Sequence, residues 1–436
     1  MKKILISLSL LLMAVITLVS CGDGNRIDQK GEIAIPQEPT IVGIKSVPGG
    51  AVIKVAIPDD PNLKGVVATY QRNGATVESR ISRYLDTLVV EGYADENEHD
   101  VVIRSFNAND DKSEGQTVKI TPLVAPVKTA KFEAFESFGG IKIRITDNPT
   151  LAKLALVVQC DQTNPDQDLA YDQRKWKDVS TFFTESNSVV LTRRGLEAVP
   201  TVFAFHFRDD FGNVSETQLI KLTPKEEVAL NKKLCKHYPV DDDNFNNDTG
   251  GGGVNALFDG VYNGTGKFFL AAKGNPIPTW LTIDLGQEAS ISRIATKPRW
   301  DYMPFQSGNV REWEFWGTDV DPRQDLINNP AKKEDADYQS RHGFSRGWFM
   351  IAKGEQYKPS GYAPDGTVDG WTSEDREYYL NSTEYECDNT NPLTPRAFDK
   401  IRYLRIVVVN TFESWQYKQT SGGWFIGEIS PYGQIY

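Results

Sequence analysis

The chain has 436 residues and a formal net charge of −11, from 59 acidic and 48 basic side chains. That length exceeds what one hydrophobic core supports, so several domains are expected. The acidic balance, with no basic stretch able to neutralise phosphates, argues against nucleic acid as a ligand.

The N-terminal segment predicts a secreted lipoprotein. Two lysines precede an almost unbroken apolar run at 4–19, which is short for a membrane-spanning helix and typical of a signal peptide. The Leu-Val-Ser-Cys that closes it resembles the bacterial lipobox, which implies lipidation of Cys21. We therefore expect a signal peptide at 1–20 and a polar lipidated tether at 21–37. Lipid chains would anchor the protein in the outer membrane, facing the cell surface.

Three further cysteines, Cys160, Cys235 and Cys387, match no zinc-binding spacing. Being odd in number, they cannot all pair within the chain. We expect small buried residues here, with a disulfide between Cys235 and Cys387 as the alternative.

Short alternating apolar runs separated by Gly, Pro and Asn turns begin after residue 38 and predict a β-sandwich. The pattern then repeats: a Gly-Gly pair followed by an alternating strand occurs at 49–55 and again at 139–145. Two similar domains are therefore predicted, at 38–122 and 123–225. In strand spacing and turn placement they resemble fibronectin type III modules, which commonly act as spacers.

The composition changes in the last part of the chain. Eight of the nine tryptophans lie from Trp280 onward. This concentration indicates that a third domain, at 235–436, carries the function.

The third domain contains six sequence blocks in a fixed order: 255–260, 279–286, 291–294, 311–318, 402–406 and 426–429. In this order the blocks resemble the discoidin, or coagulation-factor type C, domain. The resemblance implies a galactose-binding-like β-sandwich, a jelly roll, and hence an all-β chain of two fibronectin type III-like sandwiches followed by a discoidin-like one. The tandem as a whole resembles surface lipoproteins that accompany glycan-uptake systems in Bacteroides-type bacteria.

The same resemblance implies a structural calcium ion. Asp259 matches the acid of the family's Asp-Gly turn, and Glu428 matches the acid near the C-terminus. A carbonyl around Ala256 and the side chain of Thr265 would supply further oxygen ligands. The alternative is that Asp259 caps a turn and Glu428 is a solvated strand residue.

Candidate ligand-binding residues follow from the chemistry of sugars, which present apolar C–H faces and hydroxyl groups. A flat aromatic ring beside Arg, Asp or Asn suits both. The loop 299–309 and two later tryptophans supply such residues: Arg299, Trp300, Asp301, Tyr302, Asn309, Trp371 and Trp415. The alternative for each tryptophan is a place in the core.

Catalysis is not expected, because the four histidines are isolated and no nucleophile-elbow, zincin or phosphate-loop motif occurs. We predict a non-enzymatic surface protein that binds carbohydrate for polysaccharide capture and uptake. Its partners would be a glycan, the membrane through the lipid, and outer-membrane uptake proteins. The alternatives are a protein-binding adhesin or assembly subunit, favoured by a large apolar patch, and a glycoside hydrolase, which needs two carboxyls about 5–10 Å apart.

Overall fold

The computed structural model describes residues 33–246, 248–262, 268–362, 370–381, 383–387 and 399–436. Cys21 and Thr265 lie outside these ranges, as do the predicted signal peptide and most of the predicted tether. Within the described ranges no helix is long and apolar enough to cross a membrane. Signal peptide cleavage, lipidation and anchoring remain predictions.

The first sandwich contains seven antiparallel strands in two sheets, ordered β1-β2-β5 and β4-β3-β6-β7. Its strands are β1 Thr40–Val47, β2 Gly50–Ala56, β3 Gly65–Arg72, β4 Ala75–Ser82, β5 Thr87–Glu91, β6 His99–Phe106 and β7 Gln116–Ile120. Alternate side chains of the inner strands, such as Ile53, Val66 and Ile103, meet in one buried core. A short helix, α1 (Pro126–Thr129), follows the last strand.

The second sandwich repeats this strand order, with sheets β12-β9-β8 and β11-β10-β13-β14. Its strands are β8 Lys131–Ser137, β9 Gly140–Asp147, β10 Leu154–Asp161, β11 Trp176–Thr184, β12 Val189–Arg194, β13 Thr201–Asp209 and β14 Gln218–Leu222. A 3-10 turn at Tyr171–Gln173 precedes β11. The sequence repeat is therefore a repeat of one seven-strand topology.

The repeated Gly-Gly pair has a steric cause. A Cβ atom at Gly50 would lie 1.9 Å from the carbonyl oxygen of Val90, and one at Gly140 would lie 1.8 Å from that of Arg193. In both sandwiches the second strand passes too close to the fifth strand for a side chain at this position.

The C-terminal sandwich is built on a large sheet with the order β15-β27-β20-β24-β21-β22, to which β16 and β23 add by pairing with β20. Two small sheets, β17-β18-β26 and β19-β25, complete it. The strands are β15 Val228–Ala229, β16 Lys236–His237, β17 Asp248–Gly251, β18 Phe269–Ala271, β19 Asn275–Pro276, β20 Thr279–Lys297, β21 Val310–Thr318, β22 Phe349–Glu355, β23 Thr383–Glu386, β24 Ile401–Thr411, β25 Ser421–Gly422, β26 Phe425–Ile426 and β27 Glu428–Ile435. The helices are α2 Pro322–Asn328, α3 Ser373–Leu380 and α4 Phe412–Tyr417, with 3-10 turns at Lys232–Leu234 and Val254–Leu257.

The core of this sandwich absorbs five of the tryptophans. Trp313 and Trp424 lie in the main core between the large sheet and the small ones. Trp280, Trp316 and Trp348 belong to a second aromatic cluster. These five tryptophans therefore pack in the core rather than on a binding surface.

Cys235 and Cys387 both lie in the main core, and no disulfide joins them in the described chain. Burial raises the pKa of the Cys235 thiol to about 12, so this side chain stays neutral. The structure thus agrees with the expectation of small buried residues for Cys235 and Cys387, whereas Cys160 is half-buried. The all-β fold with successive sandwiches is likewise confirmed.

The chain divides into two compact units, and the second unit contains the C-terminal sandwich and most of the second one. Within it, an ionic cluster joins the two sandwiches. The carboxylate of Glu227 accepts hydrogen bonds from Arg194 at 2.6 Å and from Arg293 at 3.3 Å. Arg194 also donates to Glu386 at 2.6 Å. Because Glu227 is largely buried, these charge-assisted bonds fix one sandwich against the other.

Candidate functional site

The candidate site is built on residues 299–309, here called the rim loop, which connects β20 to β21. Phe305 anchors the loop from below and is fully buried. Its ring packs edge-on against Tyr379 of α3, with centroids 5.5 Å apart, and against Phe412 of α4, 5.6 Å apart. Both short helices, distant in sequence from the loop, thus converge beneath it.

Asn309 serves as a clamp for the rim loop. Its side-chain amide donates to the carbonyl oxygens of Met303 at 2.9 Å and Gln306 at 2.7 Å, while its Oδ1 accepts the hydroxyl of Tyr379. The residue is only 2% exposed. Asn309 was predicted to contact a ligand. Its polar atoms are instead buried and hydrogen-bonded within the protein, so the side chain stabilises the loop.

The polar part of the rim loop is an ion pair. Arg299 donates to Asp301 from Nε at 2.6 Å and from Nη2 at 3.3 Å. The guanidinium carbon also lies 3.8 Å from the centroid of the Phe268 ring, a cation–π contact that helps to fix the position of the guanidinium. The bond from Arg299 lowers the pKa of the Asp301 carboxyl, so the carboxylate is ionised at neutral pH.

The aromatic part of the rim loop faces solvent. Trp300 lies between the two members of the ion pair in sequence and is 37% exposed. Tyr302 is half-buried and packs edge-on against Phe425, with centroids 4.8 Å apart. The rim loop thus offers an accessible indole, a donor-rich guanidinium and an acceptor carboxylate within three consecutive residues, the chemistry that suits the apolar face and the hydroxyl groups of a sugar ring.

Trp415 and Trp371 occupy the elements that support the rim loop. Trp415, on α4, is half-buried; the guanidinium carbon of Arg311 lies 4.2 Å from its ring centroid. Trp371 immediately precedes the N-cap of α3 and is 40% exposed, with Arg376 at 5.5 Å. Each ring therefore lies close to an arginine side chain. The helices α3 and α4, which follow or carry these tryptophans, contact the rim loop through Phe305.

The supporting residues Phe305, Tyr379 and Phe412 were not among the sequence candidates. Their only sequence signal is aromatic character, which they share with many core residues. The cationic partner of Trp415, Arg311, was missed for a similar reason, because its position opposite Trp415 depends on the pairing of β21 with β24.

The predicted calcium ligands lie in two environments. Glu428 is 2% exposed; its Oε1 accepts a hydrogen bond from the ammonium of Lys232, and its Oε2 accepts the N–H of Gly260 at 3.0 Å. Asp259 is exposed and caps a turn, accepting the N–H of Val261 at 2.7 Å. The turn-capping alternative describes Asp259, whereas Glu428 is buried rather than solvated.

The described residues of this set, Asp259, Ala256 and Glu428, do not fit a calcium ion. Calcium needs six to eight oxygen ligands, yet the oxygen atoms of Glu428 are already engaged by an ammonium and an amide. Ala256 is buried in the 3-10 turn Val254–Leu257. The described part of the chain contains no group of three or more His, Cys, Asp or Glu side chains placed to hold a metal.

The fold and the site together define an all-β protein whose last sandwich carries a solvent-exposed aromatic and ionic rim. Three family models match successive parts of the chain, each described as a domain of unknown function: DUF4959 at 36–122, DUF5126 at 120–233 and DUF5000 at 258–433. No curated protein matches the chain.

Several solved structures are similar to the chain. One is a SusE-like protein, with 25% identity over 71% of this chain and 100% of that one and a TM-score of 0.39. Another is the family 32 carbohydrate-binding module of Clostridium perfringens NanJ in complex with galactose, with 12% identity over 47% and 98% and a TM-score of 0.26. A third is the C-terminal domain of a Bacteroides fragilis chitobiase, with 16% identity over 48% and 99% and a TM-score of 0.26.

Proposed function

We propose that the chain is a non-catalytic, cell-surface carbohydrate-binding protein that captures polysaccharide through the rim loop. The observation that carries the proposal is the exposed ring of Trp300, which in sequence lies between the two members of the Arg299–Asp301 ion pair. The ring offers an apolar face to the C–H face of a sugar. The guanidinium and carboxylate edges offer donors and acceptors to its hydroxyl groups.

The support beneath the loop favours binding. Phe305, Tyr379 and Asn309 hold the loop through buried ring contacts and hydrogen bonds. A loop that is already ordered loses little conformational entropy when a ligand binds, so more of the contact energy contributes to affinity. Exposed sugar sites are individually weak, and many anchored copies would offset this by avidity.

The electrostatics of the rim loop favour binding over hydrolysis. A glycosidase needs a carboxylic acid with a raised pKa to protonate the leaving group. At the rim loop the pKa of Asp301 is lowered by its bond to Arg299 instead. Asp301 is therefore suited to accept hydroxyl hydrogen bonds and poorly suited to donate a proton.

The proposal includes the location of the protein. Lipidation at Cys21 would tether the mature chain to the outer membrane, with the two seven-strand sandwiches as spacers before the binding domain. A surface position would place the rim loop near polysaccharide and near outer-membrane proteins that take glycans up.

Affinity electrophoresis of the purified protein against a panel of polysaccharides tests the proposal. We expect at least one polysaccharide to retard the wild type, and Trp300→Ala to weaken the retardation by about tenfold or more, the equivalent of 1.4 kcal/mol. Phe183→Ala is the matched control, because Phe183 on β11 is an aromatic side chain that is 76% exposed and lies outside the rim loop. Wild-type protein that no polysaccharide retards would contradict the proposal and favour the protein-binding alternative.

A further inference from the structure

The buried carboxylate of Glu428 needs a positive partner inside the C-terminal sandwich. Glu428 begins β27 and is almost fully buried. An isolated ionised carboxylate in such a place is costly, and proteins offset that cost with a cation or with protonation. The backbone N–H of Gly260 satisfies one carboxylate oxygen but carries no full charge.

The positive partner comes from residues 230–235, here called the connector, which join β15 to β16. Lys232 lies in the 3-10 turn Lys232–Leu234, and its ammonium bonds both to Glu428 and, at 3.2 Å, to the hydroxyl of Ser430. The Lys232 side chain is 26% exposed and the Glu428 side chain only 2%. The ion pair therefore lies at the boundary between the protein interior and solvent.

The connector is fixed on both sides of this contact. On one side β15 pairs with β27, aligning Val228 with Gly433, and the buried Leu230 donates its N–H to Pro431 at 3.0 Å. On the other side β16 pairs with β20, aligning Lys236 with Asp284. The chain between these pairings has little freedom, so Lys232 is held in place over Glu428.

We infer that the ammonium of Lys232 is the built-in cation of the C-terminal sandwich and takes the place of the calcium ion that the family resemblance implies. The ammonium meets the same carboxylate from within the chain, and both oxygens of Glu428 already accept hydrogen bonds from the protein. The sandwich is then stable without divalent cations. The connector is then an integral part of the C-terminal sandwich, because its Lys232 supplies the positive charge that balances Glu428.

Thermal unfolding followed by tryptophan fluorescence tests the inference, since eight of the nine tryptophans lie from Trp280 onward and report on this sandwich. For the wild type, we expect a calcium chelator or millimolar calcium chloride to change the Tm by less than about 1 °C. Lys232→Met keeps the aliphatic stem but removes the charge, and we expect it to lower the Tm by roughly 6–15 °C. Lys232→Arg, which retains the charge, is expected to preserve most of the wild-type Tm.

Lys233→Met is the matched control, because Lys233 is exposed on the same 3-10 turn; its Tm should equal that of the wild type. A wild-type Tm that falls in chelator and recovers in calcium would overturn the inference. So would a Lys232→Met variant with an unchanged Tm. The chelator measurement on the wild type decides the question even where Lys232→Met does not fold.

Discussion

The hydroxyl of Tyr379 donates a hydrogen bond to Oδ1 of Asn309, which ties helix α3 to the end of the rim loop. Both residues are buried, and 70 positions separate them in the chain. Burial also raises the pKa of Tyr379, so its hydroxyl keeps its proton at all physiological pH values. The rim loop at the surface is thus held in part by a polar contact in the interior.

Tyr379→Phe should weaken both the fold and the ligand affinity. The ring contacts with Phe305 remain, but Oδ1 of Asn309 loses its donor in a buried place, which costs about 1–3 kcal/mol. Calorimetry gives the stability and affinity electrophoresis gives the binding. Tyr378→Phe, on the partly exposed neighbour, is the control and should leave both unchanged. Equal stability of Tyr379→Phe and wild type would show that the contact does not support the loop.

Arg299→Lys should reduce polysaccharide binding with little effect on stability. Lysine retains the positive charge but lacks the planar fork that bonds twice to Asp301 and stacks over Phe268. Losing about 1 kcal/mol of hydrogen bonding between the guanidinium and the ligand corresponds to roughly fivefold weaker binding. Titration with the retarding polysaccharide measures the change. Unaltered affinity would remove Arg299 from the site.

Gly50→Ala and Gly140→Ala should each destabilise the protein, because the added Cβ would meet a strand carbonyl at 1.9 Å or 1.8 Å. Such overlap forces the strands apart and costs about 1–3 kcal/mol or more. Gly43→Ala is the control, since nothing lies within 4 Å of the position that its Cβ would take. Denaturant unfolding measures all three, and a Gly50→Ala midpoint equal to that of Gly43→Ala would refute the steric explanation.

Asp375→Asn should destabilise the α3 region at neutral pH and lose its effect in acid. Burial raises the pKa of Asp375, but hydrogen bonds from Thr372 and Ser360 outweigh this and lower it to about 2. A lowered carboxyl pKa gives stability above the unfolded value of 3.8, which is lost as the pH falls towards 2. We expect the variant to be about 1–3 kcal/mol less stable at pH 7 and to approach the wild type near pH 2.

Stability measured across that pH range by chemical denaturation checks this prediction. Glu374→Gln, on an exposed neighbour in the first turn of α3, should show no such convergence. A stability difference between Asp375→Asn and wild type that is the same at pH 7 and pH 2 would contradict the role of the charge.

Part of the candidate site could be predicted from the sequence. Trp300 lies in a turn-rich segment between two strand patterns, and the structure leaves it exposed as expected of a rim residue. Asn309 belongs to the same segment but points inward, because Tyr379 provides a buried partner from another part of the chain. Residue type and local pattern predict a loop, whereas the direction of each side chain depends on what packs beneath it.

The sequence alone determined the all-β fold and the repeated sandwich, because strand alternation, turns and the Gly-Gly pair are encoded over a few neighbouring residues. Only the tertiary structure decided which tryptophans remain exposed and which cation meets Glu428. Lys232 and Glu428 are 196 positions apart, and no local pattern links them. Their contact arises because β15 and β16 fix the connector against the sheet, so the decisive charge balance is a property of the folded chain.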